Sequence, residues 1–253
     1  MINLMERDVH PTSQAGEWIN ESFSPGLVSV IVPVYNRQNQ VCDTLESVYQ
    51  QNYRPIELVI IDDGSTDESC YKIGKWIQSK EFSENFSVLF LGQKNSGAPT
   101  ARNRGVIVSN GEFIQFLDSD DILFPVKIER SVQLIKETGA DYVYCRVELV
   151  DAQLNRLRTY FGTRGVGRDR DITDYLWQTM CPLFKRSTVK NAGPWLEFAT
   201  QNQDWEYGAR MELLGAERYY DEFVGGLFRT GQTACIGTET WSEKKVKKLS
   251  IRL

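Results

Sequence analysis

The chain has 253 residues and a single histidine, His10, and that scarcity excludes more chemistry than any other feature of its composition. A histidine-bearing zinc site or a Ser-His-Asp triad needs imidazole held in a folded segment, whereas His10 sits in a polar leader without apolar periodicity. Acid and base work therefore falls to carboxylates. Cysteine is sparse as well. Cys42, Cys70, Cys145, Cys181 and Cys235 are far apart, odd in number and form no Cys-x-x-Cys pair, which reads as buried, reduced thiols of a cytosolic protein. No apolar run nears the roughly 20 residues that span a bilayer, and Met1 to Gly16 lacks the apolar centre of a signal peptide, so the expected location is the cytoplasm. A positive charge excess is also missing. Lys and Arg number 29 against 34 Asp and Glu, net -5, which argues against general nucleic-acid binding and requires any phosphate to be met by local groups.

What is present is an ordinary globular composition, 41% hydrophobic and 25% charged, enough to bury a sizeable core. Residues 1–26 are polar, with Pro11, Pro25, Gly16 and Gly26 and a short turn around Trp18 and Ile19, and read as an extension on the fold. Leu27 to Val34 is a β-branched run of the kind buried on both faces of a parallel sheet. Strands are expected next at Glu57 to Ile61, Val88 to Leu91 and Glu112 to Leu117. Helical spacing separates them, at Val41, Leu45, Val48 and Tyr49, then at Ile73, Trp76 and Ile77, then from Ala101 to Val108. Strand, polar cluster and helix alternate, which implies an α/β fold with a mostly parallel sheet, helices on both faces and ligands at the carboxyl ends of the strands.

The second half is less regular. A helix over Ile128, Val132 and Ile135 ending near Gly139, a strand from Tyr142 to Val150, helical segments at Ile172 to Trp177 and Trp205 to Leu214, and a last strand from Phe223 to Phe228 are expected. Asn155 to Asp171 reads as a glycine- and arginine-rich loop suited to a lid. Lys244, Lys245, Lys247, Lys248 and Arg252 form a basic tail with Val246, Leu249 and Leu253 at helical spacing. The bland reading of that tail is a solvated helix, and the sharper one is peripheral contact with an anionic membrane surface.

Four clusters carry chemistry. Asp118, Asp120 and Asp121 crowd the end of the strand Glu112 to Leu117, where repulsion among ionised carboxylates must be offset by protons, donors or a hard cation. The competing reading is a helix cap ahead of Ile122. Asp62-Asp63-Gly64-Ser65 follows the second strand, either as a capped turn or with Asp63 accepting from a base or ribose. Gly97 opens a helix carrying Arg102 and Arg104, where backbone donors and guanidinium could meet a diphosphate, against the plainer reading of surface arginines. Asp204 is either the N-cap of the following helix or a poised base.

In order and spacing, Val32-Pro33-Val34-Tyr35-Asn36, Asp62-Asp63-Gly64-Ser65-Thr66-Asp67, Asn95-x-Gly97-x-x-x-Ala101-Arg102-Asn103-x-Gly105 and Leu117-Asp118-Ser119-Asp120-Asp121 resemble the inverting glycosyltransferases of family 2. The match is dense over residues 27–125 and thins beyond residue 126 to Gly193, Asp204 and Arg210. The resemblance implies a GT-A (Rossmann-like) fold. After the 1–26 extension, residues 27–125 would bind the nucleotide sugar, 126–228 would form the smaller acceptor-binding half of the same domain, and 229–253 the basic tail. It further implies metal-dependent, inverting transfer of a hexose from a nucleotide-diphosphate sugar, a UDP-sugar by preference, to a hydroxyl of a glycan, lipid-linked or other acceptor in polysaccharide biosynthesis. Carried over by position, Pro33, Tyr35, Asp63, Gly97, Arg102 and Asp118 would bind the donor. Asp120 with Asp118 would ligate Mn²⁺ or Mg²⁺, and Asp204 would be the catalytic base.

Two departures stand out. The family's usual Glu-Asp is Gln203-Asp204 here, so a carboxylate beside the base is missing. Phe228-Arg229 is followed by Thr230-Gly231, where many members carry a histidine. These departures support the alternative of a nucleotide-sugar-binding protein without catalysis. A sugar nucleotidyltransferase is a further alternative, but its glycine-rich phosphate loop has no counterpart in Val34-Tyr35-Asn36-Arg37.

Overall fold

A computed structural model describes residues 18–19, 22–162 and 177–230. The expected helix at Ile172 to Trp177, apart from Trp177 itself, the distal part of the arginine-rich loop, residues 231–253 of the basic tail, His10 and Cys235 lie outside these residues, while Arg229, placed in that tail, closes the last strand.

The β-branched run becomes β1 (Ser24–Val34), buried from Val28 onward. It pairs in parallel with β2 (Ile56–Asp62), which is buried throughout its length and pairs in parallel with β3 (Phe86–Gly92). The connections are α1 (Val41–Tyr49) and α2 (Ser69–Gln78). The chain then returns through α3 (Ala98–Val108) to β4 (Gly111–Phe116), which pairs in parallel with the other edge of β1. Right-handed crossovers in opposite directions put α1 and α2 on one face of the sheet and α3 on the other. The packing of α1 against α2, and of α3 on β1 and β2, agrees.

After β4 come the two-residue β5 (Ile122–Leu123), α4 (Lys127–Thr138), β6 (Tyr142–Val150) and β7 (Arg156–Phe161). Then follow β8 (Pro182–Lys185), α5 (Arg186–Ala192), α6 (Gln203–Leu213) and β9 (Arg218–Arg229). One nine-stranded sheet holds all strands in the order β3-β2-β1-β4-β8-β6-β9-β5, with β7 on β6. β8 runs against both β4 and β6, whereas β9 is parallel to β6, so β5, β7 and β8 oppose an otherwise parallel sheet. The mostly parallel α/β expectation is met.

Several sequence expectations change. Arg156 to Phe161 is a strand rather than loop, although every residue from Arg156 to Tyr160 is exposed, so no apolar alternation marks it. β8 and α5 went unrecognised because they are short. Cys145 and Cys181 are buried thiols as expected, but Cys42 is half-buried and Cys70 exposed, because position 70 lies off the inward stripe of α2 formed by Ser69, Ile73 and Trp76. Trp18 and Ile19 join the core, with the Trp18 indole donating to the Lys190 carbonyl at 3.1 Å.

Candidate active site

The sheet order reverses at β1, whose neighbours β2 and β4 lead away in opposite directions, the arrangement that in open α/β sheets leaves a crevice at the carboxyl ends. The last β1–β4 pair is Ile31 with Phe116, so Pro33 lies beyond it and its missing N–H costs no ladder bond to β4. Tyr35 follows at the rim, 45% exposed. The loops after β1 and β2 are tied together. Asn36 Oδ1 accepts from the Thr66 amide at 2.8 Å, Ser65 Oγ from the Asn36 amide at 3.0 Å, and Ser69 Oγ from the Arg37 amide at 2.8 Å.

Asp63 is almost fully buried and its two oxygens accept three donors, the Ser96 and Gly97 amides and the Gln93 side chain, each at 2.8 Å. It thus pins the loop that starts α3. Gly97 has φ of 94°, which favours glycine, and two of the backbone donors expected to meet a phosphate are turned toward Asp63 instead.

Beyond β4 the carboxylates separate. Asp118 Oδ1 lies 2.6 Å from Arg102 Nη2, and Asp120 Oδ2 lies 3.2 Å from Arg37 Nε. Burial pushes the Asp120 carboxyl above the ordinary carboxylate value, opposed by Arg37 and reinforced by Asp118. Asp121 is held well above its ordinary value by burial and by both neighbouring carboxylates. Its expected role as a helix cap fails, because Ile122–Leu123 is a strand and α4 starts only at Lys127. Asp121 Oδ1 instead accepts the Arg229 amide at 2.9 Å, and the Arg229 guanidinium reaches Asp43 at 2.7 Å. Arg37 and Arg229 were not expected site residues, although Arg37 directly follows the Val32-to-Asn36 motif and Arg229 completes the noted aromatic-arginine pair.

Aromatic packing holds the second half against this crevice. Trp195 is buried, stacks on Tyr207 of α6 with centroids 4.1 Å apart, and meets Phe116 edge-on at 5.1 Å, two residues before Asp118. Asn103 of α3 fixes it by accepting the Trp195 amide at 2.8 Å and donating to its carbonyl at 2.9 Å. Arg102 lies over the Trp195 ring at 4.7 Å, and its Nη1 donates to Gln203 Oε1 at 2.8 Å. α6 begins at Gln203 with Asn202 at the cap position, so Asp204 belongs to the first helical turn and the N-cap reading is set aside. Phe198 and Trp205, on either side of Asp204 in sequence, are 81% and 37% exposed.

Asp118 and the turn that bears Asp204 therefore meet through Arg102. The family model for glycosyl transferase family 2 matches residues 29–189, more than half the chain. The chain belongs to glycosyltransferase family 2. Over 209 residues it is 30% identical to the Escherichia coli K12 protein described as the uncharacterized glycosyltransferase YibD, covering 81% of this chain and 54% of that relative. A shorter match, 33% over 125 residues, covers 49% of this chain and 47% of the Escherichia coli UDP-Glc:α-D-GlcNAc-diphosphoundecaprenol β-1,3-glucosyltransferase WfgD. The chain thus spans about half the length of these curated relatives.

Among solved structures, it resembles S. aureus TarS 1-349 in complex with UDP-GlcNAc, with TM-score 0.65, 20% identity, and 85% and 61% of the two chains covered. It also resembles the Pyrobaculum calidifontis mannosyltransferase PcManGT in complex with GDP-Man and Mn²⁺, with TM-score 0.63, 16% identity, and 87% and 64% covered. These likenesses show the GT-A fold of this family 2 member.

Among the described residues no group of three His, Cys, Asp or Glu converges on one point. The donors at Asp118 and Asp120 nevertheless suit a small hard cation. Both are carboxylates, side-chain exposure is 31% and 11%, and the repulsion from Asp118 that adds to burial in raising Asp120 is of the kind a cation relieves.

Among the described residues no helix is long and apolar enough to cross a membrane.

Proposed function

We propose that this family 2 member transfers a sugar from a UDP-sugar to an acceptor hydroxyl with inversion at the anomeric carbon. The observation that carries the proposal is the Arg102 bridge, which joins Asp118 beyond β4 to Gln203 beside Asp204 and so supports a single site that serves both donor and acceptor. Pro33 and Tyr35 border the nucleotide, and Asp63 acts through Gly97 by holding the loop ahead of α3. Asp118 and Asp120 would hold Mn²⁺ or Mg²⁺, which when bound would stabilise negative charge on the departing diphosphate. Asp204 takes the proton from the acceptor hydroxyl as its oxygen attacks the anomeric carbon, and the carbon–oxygen bond to the diphosphate breaks on the opposite face.

UDP as the nucleotide is supported by the TarS structures with UDP and UDP-GlcNAc, and a lipid-linked glycan acceptor by the activity in the name of WfgD. Exposed Trp205 and Phe198 suit the apolar face of an acceptor sugar.

The test is thermal unfolding with UDP and Mn²⁺, since a ligand selective for the folded state at a hundred times its Kd stabilises by about 2.7 kcal/mol. Stabilisation should require both components and vanish in Asp120→Ala. UDP stabilisation indifferent to chelator and to that substitution would remove the metal from the proposal. A nucleotide-binding protein without catalysis would show the same shift but no transfer.

A further inference from the structure

Arg102 has a side chain only 5% exposed, so water competes little for its donors. Two of its nitrogens are committed, Nη2 to Asp118 at 2.6 Å and Nη1 to Gln203 at 2.8 Å, while the ring of Trp195 lies under the guanidinium plane. The orientation of Gln203 is set from its other end. Its Nε2 donates to the Ala199 carbonyl at 2.9 Å, which leaves the amide oxygen, an acceptor without charge, facing Arg102. Trp195 offers the face of a neutral ring. Among these partners the formal charge of Arg102 is matched by Asp118 alone. A glutamate at position 203 would divide it between two carboxylates.

Resting on the reading of Asp118 as a cation ligand, we propose that Gln203 is a positioning residue. By taking one Arg102 nitrogen with an uncharged acceptor, it leaves the guanidinium charge on Asp118 through the other nitrogen alone, which sets cation binding without donor between that of a charged and that of an apolar residue 203 and couples that binding to the arrival of the diphosphate. A guanidinium on one carboxylate oxygen occupies the place where a divalent ion would draw charge, and the two cations repel. The anionic oxygens of a diphosphate give Arg102 other partners and so release Asp118. Gln203→Glu relaxes the restraint twice over, by drawing Arg102 toward residue 203 and by adding a negative charge at the start of α6, where helix geometry favours one. Gln203→Met acts in the opposite sense. It removes the acceptor from Nη1 without changing charge, so Arg102 is free to turn both nitrogens onto Asp118.

Manganese binding reports this directly, because free Mn²⁺ has a paramagnetic resonance signal that is lost on binding. Titrations of wild type, Gln203→Glu and Gln203→Met are made with and without UDP, after each variant is shown by its melting curve to be folded. Without UDP, Gln203→Glu should bind Mn²⁺ about tenfold tighter than wild type, and Gln203→Met several-fold weaker. With saturating UDP the three should converge. Equal affinities in all three without UDP overturn the inference. So does tighter binding by Gln203→Glu alongside a Gln203→Met that equals wild type, since added charge without any shift of Arg102 then suffices. If no protein binds Mn²⁺ even with UDP, or if Asp120→Ala binds as wild type does, the metal reading itself fails. UDP-dependent binding that is lost in Asp120→Ala but indifferent to residue 203 overturns this inference alone.

Discussion

Asp63→Asn separates holding a loop from touching a ligand. In the wild type Oδ1 accepts Gln93 Nε2 and the Ser96 amide, and Oδ2 accepts the Gly97 amide, each at 2.8 Å, with the residue 2% exposed. An asparagine that keeps its carbonyl oxygen at the Oδ1 position turns its NH₂ toward the Gly97 N–H, a donor against a donor. Leaving that half-buried amide without a partner costs about 1–3 kcal/mol, and two bonds to a charged acceptor each become neutral ones at a loss of about 1 kcal/mol. The expected destabilisation is about 3–5 kcal/mol, equivalent at this chain length to about 10 °C or more in melting temperature. Urea unfolding followed by circular dichroism, without any ligand, measures it. A loss below about 1 kcal/mol would show that the loop before α3 does not depend on Asp63, and the reasoning from its three donors would be refuted.

Three further outcomes are expected. Asp204→Asn should keep UDP stabilisation and lower kcat by about 10²-fold or more, as loss of a general base does; turnover equal to wild type with an identified acceptor removes Asp204 from the mechanism. Trp205→Ala should raise the acceptor KM with little change in UDP affinity, which steady-state kinetics separates, and a changed affinity for UDP alone would assign Trp205 to the donor. Lys127 is fully buried, donates to Gln115 and is lowered by burial to about 8 from its ordinary 10.5. Its contribution to stability is present above pH 10.5 and lost as pH falls through 8, because the folded state then carries a buried ammonium. The stability of wild type minus that of Lys127→Met should therefore rise by about 3 kcal/mol from pH 7 to pH 10.5, and a pH-independent difference would contradict the assignment.

The alternation of the first half was legible because it is local. Leu27 to Val34 and Glu57 to Ile61 read as buried strands, each is followed by a polar cluster, and a parallel sheet brings those clusters to one edge. The second half was less legible for equally physical reasons. β7 is exposed from Arg156 to Tyr160 and carries no period, and β8 and α5 are too short for one. Residue type and order were enough to single out Asp63, Arg102, Asp118, Asp120 and Asp204. What each touches came only from folding.

Asp118 and Asp120 are two positions apart and look equivalent in sequence, yet one faces Arg102 of α3 and the other Arg37 beyond β1. Asp121 looked like a cap until β9 supplied the Arg229 amide from 108 residues away. Trp195, with no motif around it, became the surface on which Arg102 rests because Phe116, Asn103 and Tyr207 converge on it from β4, α3 and α6. A chain's order specifies which groups stand at the ends of its strands. Which carboxylate gains a donor, an arginine or a buried neighbour depends on segments a hundred residues apart, and only their packing decides it.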